Sequence, residues 1–495
     1  MKKSKFNNNK NNKKLNNKSI WILTCIIFIF LLALVISTKY VGLTDVDDYA
    51  NVAKFFSGDY PAKIRSSHSF FYGFLLSPLV SLSNSLIPMK IMSLVFLSLI
   101  VLSLYILSKK DKRALLLSLT APIFWYMAPW INPVQISSLL FLWAYYYIKE
   151  YNKNNKIKNV IYSGILIGLS FVFWDTILFF GFFLIIPFMW DKKVFHLLLL
   201  VSFIFIGLIP RFVLDQILFN FFLFTLIKSF FGTLTNLLWN GISGDGGHTV
   251  KTFVNLIPII LILPLFTFKL FSRKQFKTNK PTIIFLVLSI LLILSNPQIR
   301  YTLLIIPIIL LNLSPIMSSK EFKIQIIFSI LLILAITSTY IIQIQYSTNS
   351  PELKYLIKNM GKWEVYTNMD KFIEEDLNNI AKDFPDEYFV VGNNQDYYAK
   401  LARIYWGGDI QELVSIEDYK LYLKNETILF EKEFRSMSNI ENRREIWIKG
   451  GISKSIVDNT PYDKINYAIS NESEINLNGF ELLKSYKELN VFEKI

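Results

Sequence analysis

Long apolar runs separated by short, mostly lysine-containing breaks restrict the fold of this chain more than any other feature. Residues 20–37 and 194–210 are examples in which almost every side chain is apolar. An α-helix crosses the hydrocarbon core of a bilayer in about 20 such residues. The composition agrees, because 53% of the residues are apolar and 18% are charged, whereas a soluble domain carries about 25% charged residues. We therefore exclude a single soluble globule and a disordered chain, and we predict a polytopic α-helical membrane bundle.

The net charge of +15 conceals two regions of opposite sign. Residues 1–345 hold 33 basic and 11 acidic residues, whereas residues 346–495 hold 19 basic and 26 acidic residues. The composition predicts a disordered Lys/Asn-rich tail at 1–19, a membrane module at 20–345 and a soluble α/β domain at 346–495. Because the basic residues lie in loops beside apolar runs, we predict membrane lipid as a partner and no nucleic acid.

Basic residues in the short loops set the predicted orientation of the bundle. With the tail in the cytoplasm, the loops that fall inside contain lysine, and the loops that fall outside hold seven of the eleven acidic residues of the module. Eleven spans are predicted, near 20–37, 87–107, 114–130, 134–148, 159–173, 176–190, 194–213, 252–270, 281–297, 301–317 and 323–345. An odd number places the C-terminal domain outside, so we expect a multi-pass protein of the cytoplasmic membrane with its N terminus inside.

Two long external loops, 38–86 and 217–250, follow from this orientation. The apolar stretch Phe70–Val80 is predicted to be a short juxtamembrane or re-entrant helix, since counting it as a span would place the basic loop Lys109–Arg113 outside. The C-terminal region is predicted to contain strands at Glu387–Gly392, Thr427–Phe430, Glu445–Lys449 and Glu488–Phe492 and a helix at Gln395–Trp406.

Acidic residues are concentrated directly after the first predicted span. A helix that begins near Asp45 places Tyr49, Val52 and Phe56 on the face beneath it. The free amides and dipole of a helix N-terminus keep a carboxylate ionised, as a general base must be. The same spacing also fits an ordinary N-cap, and both interpretations stay open.

This segment resembles the first external loop of the GT-C superfamily, the polytopic glycosyltransferases that use lipid-phosphate-linked sugars. Asp45, Tyr49, Ala53 and Gly58 fit the pattern of that loop. The resemblance is to the protein mannosyltransferase and aminoarabinose transferase types, which depend on polyprenyl- or dolichyl-phosphate sugars. It covers most of the chain and implies a GT-C-like membrane bundle with a C-terminal extracytoplasmic α/β domain.

The sequence departs from the family pattern at one position. Val46 occupies the place of the usual second acid, so the resemblance gives the auxiliary catalytic role to Asp47 and Asp48. Two shorter motifs agree with the family. His68–Tyr72 stands where many relatives carry His-Pro-Pro-Leu-Tyr, and Asn296–Tyr301 is similar to the Arg-Tyr signature that opens a late span.

The implied reaction transfers a sugar from a polyprenyl-phosphate donor to a glycan, lipid or protein acceptor. It needs a base for the acceptor hydroxyl and a cation for the departing phosphate. The resemblance implies Asp45 as the base, and we predict Arg300 as the phosphate partner because a guanidinium suits phosphate oxygens. Substrate contacts are predicted at Tyr49, Lys63, Arg65, His68, Asp175, Arg300 and Tyr301.

Simpler explanations stay open for these side chains. Arg300 also fits an interfacial arginine that snorkels to the membrane surface, and Asp175 fits the polar residue of a tight turn. The cationic side chains of the first loop also fit solvated residues or headgroup contacts. Arg211 and Asp215, four residues apart near the outer end of a span, are predicted to form a local ion pair first and a ligand contact second.

No cofactor is predicted, and a divalent cation is left open. Asp45-Val46-Asp47 matches the Asp-x-Asp pattern of metal-bound nucleotide sugars, but a lipid-linked donor needs no metal to bridge a nucleotide. Two other functions are alternatives: a lipid or glycan transporter, and a lipid-linked polysaccharide polymerase or ligase. A transporter is disfavoured because the spans are almost uninterrupted and the acids gather at one face.

Overall fold

The membrane part of the computed structural model is α-helical. The structure describes residues 17–38, 49, 52–53, 56–57, 69–82, 87–190, 192, 194–219, 221–227, 256–295, 298–345, 376, 379–380, 382–384, 389–391, 467–470, 479–487 and 489–495. The helices are α1 Asn17–Ser37, α2 Phe71–Leu82, α3 Ile87–Leu107, α4 Lys112–Leu119, α5 Pro122–Met127, α6 Val134–Asn154, α7 Ile157–Phe173, α8 Ile177–Met189, α9 Val194–Phe219, α10 Arg273–Ser295, α11 Thr302–Leu313 and α12 Ser319–Gln345. Short 3-10 helices cover Leu265–Phe271 and Ile299–Tyr301.

Several of these helices are long and apolar enough to cross a membrane. Within the described segments, α1, α3, α9, α10 and α12 meet both criteria, and α2, α7, α8 and α11 are shorter apolar helices. Helices of both kinds pack side by side around a common core. The chain is therefore a multi-pass membrane protein, as the apolar runs indicated, and the count of eleven spans stays a prediction.

Two predicted spans are interrupted in the structure. The stretch 114–130 forms two short helices, α4 and α5, separated at Thr120 and Ala121. Pro122 is the first residue of α5, a position that suits proline because the N–H group it lacks has no partner within the helix there. In the stretch 252–270, a helical segment over 256–262 gives way at Pro264 to a 3-10 helix. A continuous apolar run in the sequence therefore does not always form one continuous helix in the structure.

The predicted short helix of the first loop is confirmed as α2. Its 12 residues span about 18 Å, less than the roughly 30 Å of a hydrocarbon core. Tyr72 of α2 is buried against Tyr49, with ring centroids 5.3 Å apart. A Cβ atom on Gly73 would overlap the side chain of Val52. The absence of a side chain at Gly73 therefore lets the chain around Tyr49 lie directly on α2.

Polar contacts tie α6 to its neighbours inside the bundle. Trp143 Nε1 donates to Ser103 Oγ of α3 at 2.9 Å. The Tyr145 hydroxyl lies 2.9 Å from Thr282 Oγ1 of α10 and accepts a hydrogen bond of 2.8 Å from Asn312 Nδ2 of α11. Because buried polar groups are costly without partners, these contacts fix the rotation of α6 in the bundle.

Glycines bring α7 and α9 into backbone contact. A Cβ atom on Gly168 would lie 2.8 Å from Gly207 Cα and overlap the carbonyl oxygen of Ile204. A Cβ atom on Gly164, one turn earlier, would lie 2.7 Å from the Leu200 carbonyl oxygen. Small residues at this spacing let helices approach closely in membranes.

The C-terminal region contains a mixed four-stranded sheet. Its strands are β1 Phe389–Val391, β2 Tyr467–Ser470, β3 Phe480–Ser485 and β4 Asn490–Lys494, in the order β1-β2-β4-β3. β1 pairs parallel with β2, and the other pairs are antiparallel. Asp383 accepts hydrogen bonds from Lys484 Nζ at 2.6 Å and Tyr486 Oη at 2.5 Å. The hydrogen bonds from these two donors, of which that from Lys484 has the larger effect, hold the pKa of Asp383 below its usual range.

Two of the predicted strands are confirmed. β1 lies within the predicted Glu387–Gly392, and β4 overlaps the predicted Glu488–Phe492. The other predicted elements of this region, Thr427–Phe430, Glu445–Lys449 and the helix Gln395–Trp406, lie outside the described residues. The boundaries of the C-terminal domain stay a prediction.

Candidate active site

Aromatic contacts connect four separate segments of the chain at one end of the bundle. Ring centroids lie 5.3 Å apart for Tyr49 and Tyr72, 5.4 Å for Phe71 and Phe173, and 5.5 Å for Trp174 and Tyr301. Edge-to-face and tilted pairs of this kind are favourable aromatic geometries. Because Phe71 adjoins Tyr72 and Phe173 adjoins Trp174, the contacts form one path. The path places three predicted site residues, Tyr49, Asp175 and Tyr301, at the same end.

Asp175 forms an ion pair with Arg211. It lies in the turn between α7 and α8, where Arg211 Nη1 of α9 donates to its Oδ1. Arg211 is only 1% exposed, and its guanidinium carbon lies 5.6 Å from the centroid of the Phe171 ring. The side chain of Asp175 is 16% exposed, so the pair holds this carboxylate in place at the edge of the protein interior.

Asp215 is bound to Thr225 rather than to Arg211. The backbone N–H of Thr225 donates to Asp215 Oδ2 at 2.9 Å, and the Thr225 hydroxyl lies 2.8 Å from both carboxylate oxygens. The same hydroxyl accepts from Arg211 Nε at 3.0 Å. The predicted local ion pair between Arg211 and Asp215 is therefore wrong. Thr225 lies between the two side chains, and Asp175 takes the guanidinium instead.

The glycine contact between α7 and α9 explains why this ion pair can form. Gly207 precedes Arg211 by four residues on α9, and Gly168 precedes the Asp175 turn on α7. The close approach of the two backbones brings Arg211 Nη1 within 3.4 Å of the carbonyl oxygen of Phe171, one turn before Asp175. Two residues without side chains thus position a charged pair.

Arg300 lies beside Tyr301 in the 3-10 turn that precedes α11. Its Nε donates to Gln298 Oε1 at 2.7 Å, and its guanidinium carbon lies 5.9 Å from the centroid of the Tyr301 ring. Arg300 is half-buried, while Tyr301 is buried and also contacts Phe180 of α8 at 6.4 Å between centroids. A half-buried guanidinium at the end of an apolar helix is well suited to bind an anionic group.

Known structures share this arrangement of helices. No protein-family model and no curated protein sequence matches the chain. Two crystal structures of ArnT from Cupriavidus metallidurans, one bound to undecaprenyl phosphate and one in the apo state, each superpose with a TM-score of 0.57 at 11% sequence identity. The match covers 97% of this chain and 99% of the bound ArnT chain, or 97% of the apo chain. The chain has a GT-C fold.

The remaining predicted site residues lie outside the described residues. They are Asp45, Asp47, Asp48, Lys63, Arg65 and His68. Tyr49, whose ring is located, follows Asp45 by four residues, so the proposed base is close in sequence to the aromatic path. The role of every predicted site residue stays a prediction.

No metal site is formed by the described part of this GT-C fold. Among those residues, no group of three or more His, Cys, Asp or Glu side chains could hold an ion. Asp175 and Asp215 provide two carboxylates near each other, but Arg211 and Thr225 already bind them. The acids of the first loop lie outside the described segments, so a divalent cation there is still an open question.

Three polar side chains at the same end of the GT-C bundle were not found from the sequence. Lys90, only 3% exposed, donates from Nζ to the Thr38 carbonyl at 2.6 Å. Asn132 is buried in the connection between α5 and α6, and Gln135 is buried in the first turn of α6, where its Nε2 donates to the Trp130 carbonyl at 3.0 Å. Polar residues just beside apolar runs were the available signal, because burial there is costly unless it serves packing or function.

Proposed function

We propose that the protein is a membrane glycosyltransferase. It transfers a sugar from a polyprenyl-phosphate carrier to a glycan, lipid or protein acceptor on the external face of the cytoplasmic membrane. The observation that carries the proposal is the GT-C fold, shared over 97% of the chain with an ArnT structure bound to undecaprenyl phosphate. At 11% identity that likeness concerns the fold, and the reaction is inferred from the resemblance of the first loop to GT-C sequences and from the predicted roles of Asp175 and Arg300.

In the proposed reaction, the acceptor oxygen attacks the anomeric carbon of the donor sugar. The bond from that carbon to the phosphate oxygen breaks, the polyprenyl phosphate departs, and the acceptor proton passes to a base. We infer that Asp45 is this base, with Asp47 and Asp48 as auxiliary acids. Arg300 would stabilise the charge that develops on the leaving phosphate, and inversion at the anomeric carbon follows from a single displacement.

The Asp175–Arg211 pair supports substrate binding in this proposal. One oxygen of Asp175 accepts from Arg211, and the partly exposed carboxylate edge can accept hydrogen bonds from sugar hydroxyl groups. Trp174, adjacent in sequence, packs on Tyr301, next to Arg300. A sugar bound at Asp175 would therefore lie near the proposed phosphate partner, which is the requirement for positioning a glycosyl phosphate.

Replacement of the proposed base tests the function. Asp45→Asn should lower transfer from a defined polyprenyl-phosphate sugar by about 100-fold or more, because general-base catalysis contributes about 10²–10⁴-fold. The amount of protein in the membrane should not change. Asp59→Asn, in the same predicted loop, is the matched control and should keep near wild-type turnover. Full activity of Asp45→Asn would refute the assignment of Asp45 as the base. Absence of any covalent sugar transfer by the wild-type protein would refute the proposed enzymatic function.

The analysis of products separates the alternatives. A transporter would move the lipid or glycan without forming a new glycosidic bond, and a polymerase or ligase would add preassembled blocks. The proposed transferase should extend each acceptor by one sugar, measurable as a single mass increment. Over Ile20–Ser37, α1 carries no charged residue, which favours the transferase over a pathway through the bilayer.

A further inference from the structure

An apolar groove runs along the outside of the bundle between α1, α3 and α4. Trp21, Thr24, Ser98, Tyr105 and Ser118 are among the residues that line it. The hydroxyls of Thr24, Ser98 and Ser118 donate to carbonyl oxygens of their own helices at 2.8–2.9 Å. The protons of these hydroxyls are therefore satisfied within the helices, and the groove offers a mainly apolar surface within the membrane segments that fits a hydrocarbon chain.

One end of the groove lies at the end of the bundle opposite to the candidate active site. Arg113, at the start of α4, donates from Nη1 to the Met317 carbonyl at 3.1 Å, whereas Tyr301 at the other end of α11 packs on Trp174. Between these two contacts lies α11, whose 12 residues correspond to about 18 Å of helix. Trp21 and Tyr105, an edge-to-face pair at 5.7 Å, lie in the part of the groove close to the Arg113 end.

Two lysines stand at this opening. Lys109 and Lys110 link α3 to α4 and have left-handed φ angles of 61° and 63°. L-residues rarely adopt this conformation, and two in succession are unusual. The backbone N–H of Lys110 donates to the carbonyl of Tyr105, a groove residue, at 2.8 Å. This hydrogen bond holds the lysine pair directly beside the groove.

The ammonium groups of this pair are available for binding. Lys109 and Lys110 are exposed, and neither Nζ has a hydrogen bond or ion pair with the residues that the structure describes. Arg113, by contrast, is engaged with Met317 and with Ser319 Oγ at 3.2 Å. Asp111, the acid between them, accepts from the backbone N–H of Arg113 at 3.0 Å.

We propose that the groove and the lysine pair form a binding site for an anionic phospholipid of the bilayer. One acyl chain lies in the groove, and the headgroup phosphate contacts Lys109 and Lys110. Cationic residues at the membrane surface attract anionic lipids in this way, and the aromatic pair Trp21–Tyr105 marks the level of the interface. The site lies away from Asp175 and Arg300, so it is separate from the proposed donor site and independent of the proposed reaction.

Native mass spectrometry of the purified full-length protein tests this site with two lipids of equal chains. Dioleoyl phosphatidylglycerol should bind roughly tenfold more tightly than dioleoyl phosphatidylcholine. Lys109→Asn/Lys110→Asn should remove most of that preference, because asparagine accepts the left-handed backbone and carries no charge. Lys109→Arg/Lys110→Arg should retain it. Lys153→Asn/Lys156→Asn, two exposed lysines of another loop at the same end, is the control and should bind like the wild type.

Filling the groove tests the position of the chain. Ser98→Phe and Thr24→Phe, from opposite walls, should weaken both lipids several-fold, and gel filtration shows whether each variant folds. Equal binding of the two lipids would overturn the proposal. Unchanged lipid preference in Lys109→Asn/Lys110→Asn would also overturn it, as would unchanged lipid binding by both Ser98→Phe and Thr24→Phe. Displacement of phosphatidylglycerol by inorganic phosphate would indicate a free-anion site instead. Displacement by equimolar undecaprenyl phosphate would assign the groove to the carrier and likewise overturn the proposal.

Discussion

At the scale of single residues, the ionic cluster around Arg211 shows what sequence spacing can and cannot predict. The four-residue spacing identified Arg211 and Asp215 as neighbours, because side chains at i and i+4 share a helix face. It gave no information on Asp175, 36 residues earlier in the chain, or on Thr225, which follows the end of α9. The partner of a buried charge is set by helix packing. The local spacing therefore identified Arg211 correctly as a member of an ion pair but gave the wrong acidic partner.

Arg211→Met is expected to destabilise the protein strongly. It leaves Asp175 without its cation, and breaking a buried pair costs about 3–5 kcal/mol. Thermal unfolding in detergent should show a clear decrease in Tm. Arg211→Met/Asp175→Leu should recover part of the loss, since the double change removes both charges. Lys153→Met, which breaks an exposed pair with Glu150, is the control and should cost less than about 1 kcal/mol. Similar losses for Arg211 and Lys153 would contradict the inferred burial.

At the scale of secondary structure, apolar runs located helices well but not their interruptions or their contacts. The short helix α2 was predicted because the orientation of the basic loops left no room for another span. The division of 114–130 into α4 and α5 was missed because hydropathy does not distinguish Pro122 from its apolar neighbours. The partner of α7 could not be predicted either, since Gly164 and Gly168 indicate close packing without naming α9.

The close contact of α7 and α9 gives a prediction for this element pair. Gly168→Ala should destabilise the protein by about 2–3 kcal/mol, because a Cβ atom there overlaps backbone atoms that cannot move alone. Gly181→Ala is the control: its Cβ would meet only the Cγ2 methyl of the Ile167 side chain, at 3.2 Å. It should change stability by less than about 1 kcal/mol. Denaturation in detergent compares the two variants, and equal effects would argue against the close approach.

At the scale of the whole molecule, the sequence predicted the class of architecture, and the shared fold confirms the GT-C resemblance. Blocky hydropathy and the loop charges were sufficient for a multi-pass bundle. They could not place Tyr49, Trp174 and Tyr301 on one aromatic path, because each contact joins segments that are far apart in sequence. Orientation in the membrane follows only from the distribution of lysine.

Cysteine labelling tests that orientation. Cys25 is the single native cysteine, so Cys25→Ser provides a background for new ones. Ser243→Cys, in the predicted second external loop, should react with a membrane-impermeant maleimide in intact cells. Ser272→Cys, exposed between the Leu265–Phe271 turn and α10, should react only after the membrane is opened. The reverse pattern would invert the predicted topology, and labelling of both in intact cells would reject it.

The backbone contact between α7 and α9 also shows that residues outside the candidate site determine its geometry. Gly168 and Gly207 carry no functional group, yet their absent side chains allow Arg211 to reach Asp175. The geometry of a charged pair therefore depends on residues one to two helical turns away from it, which take no part in the proposed reaction. Functional importance in such a bundle is not confined to chemically active side chains, and the smallest residues can determine where the reactive ones meet.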